Sequence, residues 1–144
     1  MPLIGFGTYK TPPASTTEAV SLALQAGVRH IDGAQDYKNE RELGVAVRES
    51  GIPRSELFLT SKISNENQGD LRKVTTSVKR TLKSLDTPYL DCLYVHTPLP
   101  GSSLRLSTYA ALQQLKEEGF CRSVGVANYG VPHLDEIIAS GLDA

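Results

Sequence analysis

Short β-rich runs alternate along the chain with longer segments of helical period. Leu3 to Gly7, Val28 to Asp32, Leu57 to Lys62, Leu90 to His96 and Ser123 to Ala127 are rich in Val, Ile, Leu, Phe and Tyr and read as strands. The first helical segment covers residues 16 to 25, with Ser15, Thr16 and Thr17 as cap candidates and Gly27 suited to a left-handed C-terminal turn. The second covers 39 to 49, puts Leu43, Val45 and Val47 on its inner side and stops at Gly51 before Pro53. The third covers 70 to 84, opens on Asp70 and carries Leu71, Val74, Val78, Leu82 and Leu85 at near-helical spacing. The fourth covers 108 to 118 ahead of Gly119, and a fifth, "PHLDEIIAS", has Pro132 in its first turn.

Successive strand starts fall roughly 25 to 35 residues apart, the size of one βαβ unit, which predicts an α/β fold with a parallel sheet. Doubly wound sheets and (β/α) barrels share this grammar, and both place active sites at the carboxyl ends of the strands. The pattern alone leaves both open. A dinucleotide fingerprint after the first strand is broken, because "GFGTYK" supplies Gly5 and Gly7 and then Lys10 where a third glycine belongs.

With 144 residues the chain is long enough for a single core, and such a domain buries about two thirds of its unfolded surface. Fifteen Lys plus Arg against 16 Asp plus Glu give a net charge of -1, which offers no electrostatic footprint for nucleic acid or an anionic membrane. No apolar run reaches the roughly 18 residues of a bilayer span, and "MPLIGFGTYK" lacks the regions of a signal peptide, so a cytoplasmic protein acting on a small molecule is expected. Cys92 and Cys121 are too few and too far apart for a disulfide framework or a zinc knuckle and read as two buried thiols.

Alternation along the strands sorts the polar residues. Phe58, Thr60 and Lys62 share one face of the third strand, Cys92, Tyr94 and His96 one face of the fourth, and His30 and Asp32 one face of the second. Leu57, Leu59, Ser61, Leu93 and Val95 turn the other way, toward the helices. Asp32, Lys62 and His96 therefore end three successive strands with compatible parity, and Tyr37, five residues past Asp32, is close enough to fold back over them.

Taken singly, each has an ordinary use: a solvated lysine, a loop-capping aspartate, a packing tyrosine, a structural histidine. Together they suit proton chemistry. A phenol ordinarily titrates near 10, too high to exchange protons readily at neutral pH, and an adjacent ammonium lowers that barrier by favouring phenolate. A carboxylate paired with the ammonium keeps it charged and in place, while a neighbouring histidine can orient a substrate oxygen. No group resembles an activated nucleophile or a metal cluster, so a carbonyl that accepts a hydride is the expected substrate.

In combination and in order, "GFGTYK", "GVRHIDGAQDYKNERELG", "LFLTSKI", "LDCLYVHTP" and "SVGVANYG" resemble the aldo-keto reductase family over nearly the whole chain. The resemblance implies a (β/α)8 barrel that uses NADPH, without metal, to reduce aldehydes and ketones to alcohols. It makes Tyr37 the general acid, Lys62 the group that depresses its pKa, Asp32 the holder of Lys62 and His96 the residue that orients the carbonyl. It places Gly7, Thr8, Asp32 and Asn128 on the cofactor, Asn128 at the nicotinamide carboxamide, and Tyr9 with His96 on the substrate. Three positions depart from the family pattern. Ala127 replaces a small hydroxyl residue, Gly33 a frequent Thr or Ser, and Thr97 a frequent aromatic.

A complete barrel of this kind needs about 250 residues, so the expectation is a single, incomplete domain over residues 1 to 144, with about five βα units and no N-terminal hairpin. By the resemblance, the missing strands carry the residue that stacks on the nicotinamide and the loop that grips the phosphates. Five strands leave two open edges, a route to self-association. The expected function is NADPH-dependent carbonyl reduction. The alternatives are a catalytically impaired member acting as an interaction or regulatory protein, and an incomplete gene product.

Overall fold

The computed structural model describes residues 1–142. Five strands, β1 (Phe6–Gly7), β2 (His30–Asp32), β3 (Phe58–Ile63), β4 (Cys92–Val95) and β5 (Val124–Val126), alternate with helices α1 (Pro13–Gln25), α2 (Glu40–Glu49), α3 (Leu71–Leu85), α4 (Ser102–Glu117) and α5 (Val131–Ala139). Every strand pair is parallel, and the spatial order is β1-β2-β3-β4-β5. A doubly wound sheet reverses its order at a switch point. This sheet never does, so it is the arc of a (β/α) barrel.

The outer face carries the core. Ile31, Leu59, Ile63, Leu93 and Val95 pack against Val20, Leu24, Leu43, Val74, Val78, Leu112 and Leu115 of the helices, which confirms the strand parity. Between α2 and α3 the approach is closest at Gly44, where an added Cβ would lie 2.7 Å from the backbone carbonyl of Leu85. Val45, expected inside, is only half-buried, and Gly44 and Ala46 face the neighbouring helix instead. Val45 stands two residues from both Leu43 and Val47, about 200° around the helix, and so points away from the side that buries them.

Local signals set most helix ends. The Asp70 carboxylate accepts from the Lys73 N–H at 2.9 Å and caps α3, as its position suggested. Gly27 and Gly119 take positive φ values of 92° and 84° where α1 and α4 hand over to the following strands. Two starts differ from expectation. Helix α1 begins at Pro13 with no side-chain cap, because a proline in the first turn has no N–H to satisfy. Helix α4 begins at Ser102, six residues before Thr108, after Gly101 turns the chain at φ 99°. The strands are shorter than their apolar runs. Leu3 and Ile4 are exposed and unpaired, and Leu90 makes only an isolated bridge to Cys121.

A buried carboxylate ties the amino ends of three strands. Asp91 accepts from the Leu59 N–H at 2.9 Å and from Arg54 at 2.7 Å, with Arg122 further off at 3.4 Å. Arg54 also donates to the carbonyls of Leu57 and Tyr89, and the Tyr89 ring contacts both guanidinium groups. Cys92 and Cys121 are free and buried, and burial pushes the Cys121 thiol up to about 12. Among the described residues no helix is long and apolar enough to cross a membrane.

Candidate active site

The inner face of the sheet carries a diagonal of polar residues. Gly7, Asp32, Thr60 and Cys92 are level in the register, and Lys62 is level with Tyr94 and Gly125. Asp32, Lys62 and His96 thus climb two residues from each strand to the next. The long lysine stem spans the first step: Lys62 Nζ donates to Asp32 Oδ2 at 2.6 Å and to the Gly33 carbonyl at 2.8 Å. The other carboxylate oxygen of Asp32 accepts from the Thr60 hydroxyl at 2.6 Å. The Lys62 side chain is 10% exposed and that of Asp32 31%, so the ammonium is the deeper partner.

Tyr37 folds back over this pair from a single 3-10 turn, Gln35–Tyr37. Its ring centroid lies 4.9 Å from Lys62 Nζ, 5.6 Å from the His96 ring in an edge-to-face contact, and 5.1 Å from the Tyr9 ring. The four residues expected to converge do converge, with Tyr9 as a fifth. Lys38, at φ 59°, turns the chain out of this segment into α2.

Two buried networks that strand parity did not reveal hold the turn. Asn39 donates to the carbonyls of Thr8 and Thr11, each at 3.0 Å, and accepts from the Thr8 hydroxyl at 3.4 Å, joining the β1 loop to the start of α2. The Gln35 side-chain carbonyl accepts from the Ser64 N–H and from Asn67, while its amide donates to Thr81. Thr81 and Ser61 both donate to Glu40, at 3.2 and 2.6 Å. Burial pushes the Glu40 carboxyl up, against the pull of those two hydroxyls. The only sequence signal for these residues was their place inside "AQDYKNE" next to Tyr37.

His96 receives Asp36. Asp36 Oδ2 lies 3.0 Å from His96 Nδ1, but off the direction of a ring N–H, so the buried Nδ1 has no directed hydrogen bond. Burial pulls the imidazole below its usual value, with Asp36 opposing and Lys62 adding to the shift. Burial thus favours the neutral ring.

The residues expected at a cofactor separate into two groups. Gly7 is exposed at the rim of β1 beside Tyr9, the residue expected on the substrate, and Asn128 stands at the end of β5 with φ 63°, donating to the His96 carbonyl at 2.8 Å. Thr8 differs: its side chain is fully buried and bonded inward to Asp32 and Asn39, and its N–H and carbonyl are bonded to Asp32, Thr11 and Asn39, so the residue presents nothing to a ligand. Of the three departures, Gly33 is the tightest, since a Cβ there would sit 3.2 Å from Leu43. Thr97 donates to Asn65 at 2.7 Å and joins the loops after β3 and β4. Among the described residues no group of three His, Cys, Asp or Glu side chains is placed to hold a metal ion.

The family model described as Aldo/keto reductase family matches residues 3–143. An aldo-keto reductase of Mycolicibacterium smegmatis is 40% identical over 141 residues, which cover 96% of this chain and 50% of the relative. The glyoxal reductase of Bacillus subtilis is 39% identical, covering 96% and 49%. The methylglyoxal reductase DkgB of Salmonella typhi is 37% identical, covering 97% and 52%. The crystal structure of an aldo/keto reductase from Brucella melitensis superposes with a TM-score of 0.94 at 39% identity, over 99% of this chain and 56% of that one. The chain spans about half the length of the curated relatives it matches.

Proposed function

The chain belongs to the aldo/keto reductase family, and on that premise we propose that it carries the proton-donating side of an NADPH-dependent carbonyl reductase that converts aldehydes or ketones to alcohols. One observation carries the reading: the Lys62 ammonium, clamped by Asp32 and the Gly33 carbonyl, lies 4.9 Å from the centre of the Tyr37 ring, and the His96 ring meets that same ring edge to face at 5.6 Å.

In this mechanism the carbonyl oxygen docks between Tyr37 and His96. Tyr37 delivers its proton to that oxygen as the carbonyl carbon is reduced. Lys62 supplies the positive charge that favours phenolate as the proton leaves, and Asp32 keeps Lys62 charged and immobile. A bound reduced nicotinamide supplies the hydride. The exposed rim residues Gly7 and Asn128 would hold its ring and carboxamide, with Tyr9 turned to the substrate. Small dicarbonyl compounds of the kind named in the glyoxal and methylglyoxal reductases are the first substrates to test. The enzyme would work in the cytoplasm.

The test uses the purified chain with NADPH and either methylglyoxal or nitrobenzaldehyde. Aldehyde-dependent loss of the nicotinamide absorbance is expected, falling by about 10²- to 10⁴-fold in Tyr37→Phe, the usual share of a general acid. No absorbance loss, together with no fluorescence change on NADPH titration, refutes the reading for this chain.

A second reading, an interaction protein, is favoured by a different observation. Strand β5 is paired on one side only among the described residues, and beside it Val124, Val126, Tyr109, Leu134 and Ile138 line an apolar hollow of about 340 Å³. Size measurement in solution separates the two: a stable monomer that consumes NADPH leaves only the first.

A further inference from the structure

Tyr37 stands on a turn that the sheet itself does not hold. Among the described residues, backbone pairing between β2 and β3 closes with the bond from the Gly33 N–H to the Thr60 carbonyl at 2.9 Å, and beyond it the Tyr37 and Lys38 N–H groups bond back to Ala34 and Gln35. Such a 3-10 turn fixes its own shape but not its distance from β3. The Gln35 side chain spans that distance. Its carbonyl accepts from the Ser64 N–H at 3.0 Å and from the Asn67 amide at 2.9 Å, so both lone pairs are used. A backbone N–H can only donate, so oxygen faces Ser64 and the Gln35 amide nitrogen is turned to the Thr81 hydroxyl on α3, at 3.1 Å. Gln35 is two residues before Tyr37, and Ser64 is two residues after Lys62. One side chain thus joins the turn that carries the phenol to the strand that carries the ammonium.

The turn has a second anchor on its other side, where Asn39 donates to the carbonyls of Thr8 and Thr11. Tyr37 lies between the two, its ring centroid 5.1 Å from the Tyr9 ring on the β1 side, and 4.9 Å from Lys62 Nζ and 5.6 Å from the His96 ring on the β3 and β4 side. We infer that Gln35 is a positioning residue that holds the Tyr37 ring against Lys62 and His96, while Asn39 holds it toward Tyr9. Without the Gln35 amide the turn stays tied to the β1 loop and swings away from β3 and β4. The catalytic consequence rests on the carbonyl-reductase reading: the proton donor then stands too far from the charge that assists it and from the histidine that shares the substrate oxygen. A misplacement of about 1 Å in such a site costs on the order of 10²-fold in rate.

The experiment that decides the role of Gln35 needs neither cofactor nor substrate. Gln35→Met keeps the length of the stem and removes the hydrogen bonds of the amide. Nuclear Overhauser spectroscopy on the isotope-labelled full chain reads the ring-to-ring contacts, with Tyr37→Phe and His96→Gln to identify the signals. In Gln35→Met the Tyr37–His96 cross-peak should fall severalfold while the Tyr37–Tyr9 cross-peak stays. Asn67→Ala, which takes one of the two donors and leaves the Ser64 N–H, should weaken the first cross-peak part way, and it gives the answer where Gln35→Met does not fold. Two cross-peaks that stay unchanged, or two that vanish together in a chain still folded by far-UV circular dichroism, overturn the inference. In the NADPH assay Gln35→Met should lower kcat by about 10- to 10²-fold, with NADPH affinity by fluorescence held within about twofold; an unchanged kcat in a chain that turns over overturns it as well. An unaltered chain that consumes no NADPH refutes the proposed function, whereas the ring contacts judge Gln35 by themselves, so the two failures are distinguishable.

Discussion

Removing either partner of the Asp32–Lys62 pair should have very different costs, because the two are unequally buried. In Asp32→Ala the ammonium, in a side chain only 10% exposed, keeps the Gly33 carbonyl at 2.8 Å but loses its counter-charge. The buried Thr60 hydroxyl loses its acceptor as well. Breaking a buried pair from one side costs about 3–5 kcal/mol, and an orphaned buried donor adds about 1–3. About 4 kcal/mol is therefore the expected loss. In Lys62→Met the stem volume is kept, and Asp32, a third exposed, still accepts from Thr60 and reaches water. Here about 1.5–3 kcal/mol is expected, since the carboxylate reaches water while the Gly33 carbonyl loses its donor. The double substitution should fall below the sum of the singles, since no unpaired ammonium is left in it. Urea unfolding followed by far-UV circular dichroism, with equal slopes for all variants, measures each difference. A Lys62→Met loss equal to or greater than that of Asp32→Ala would refute the assignment of the ammonium as the deeper charge.

Three further outcomes follow from other parts of the structure. At the base of the sheet, Arg54→Ala should cost about 3–5 kcal/mol, because its 19%-exposed side chain leaves Asp91 buried without its main partner, whereas Arg122→Ala, from a 58%-exposed side chain at 3.4 Å, should cost under about 1; equal shifts in urea midpoint would contradict this. Gly44→Ala pushes a methyl group to 2.7 Å from the Leu85 backbone and should lose about 1–3 kcal/mol by overpacking, despite the better helix propensity of alanine; a gain in melting temperature would show that α2 and α3 can separate freely. Burial lowers the pKa of both His30 and His96 from 6.5, so the folded state prefers neutral rings. Their contribution is present in full above pH 6.5 and is lost as the pH falls through the folded values; the stability difference between the native chain and a His30→Gln, His96→Gln double variant should shrink on acidification across that window, and a constant difference would count against it.

Much of the site was legible because strand alternation is rigid: once Leu59, Leu93 and Val95 face the helices, Thr60, Lys62 and Tyr94 must face the other way. That parity brought Asp32, Lys62 and His96 to one rim, and chain length alone kept Tyr37 within reach. Asp36, Asn39 and Glu40 were not legible by the same rule. They lie in a turn and a helix start, where no two-residue period says which way a side chain points, and their partners are 21 to 60 residues away. Thr8 shows the opposite limit: the motif placed it at the cofactor, but the Asn39 network draws its side chain inward.

The amino-acid pattern by itself determined the alternation of strands and helices, the parallel pairing that such spacing demands, the faces of β2, β3 and β4, and the chemistry of the convergent acid, amine, phenol and imidazole. Only the tertiary structure decided the unreversed strand order, the two-residue climb that lets Lys62 reach back to Asp32, the close approach of Leu85 at Gly44, and the carboxylate of Asp36 against His96. The physical reason is range. Periodicity and turn chemistry act over a few residues and can be read along the chain, whereas register, close packing and the pairing of buried charges depend on which distant residues arrive together.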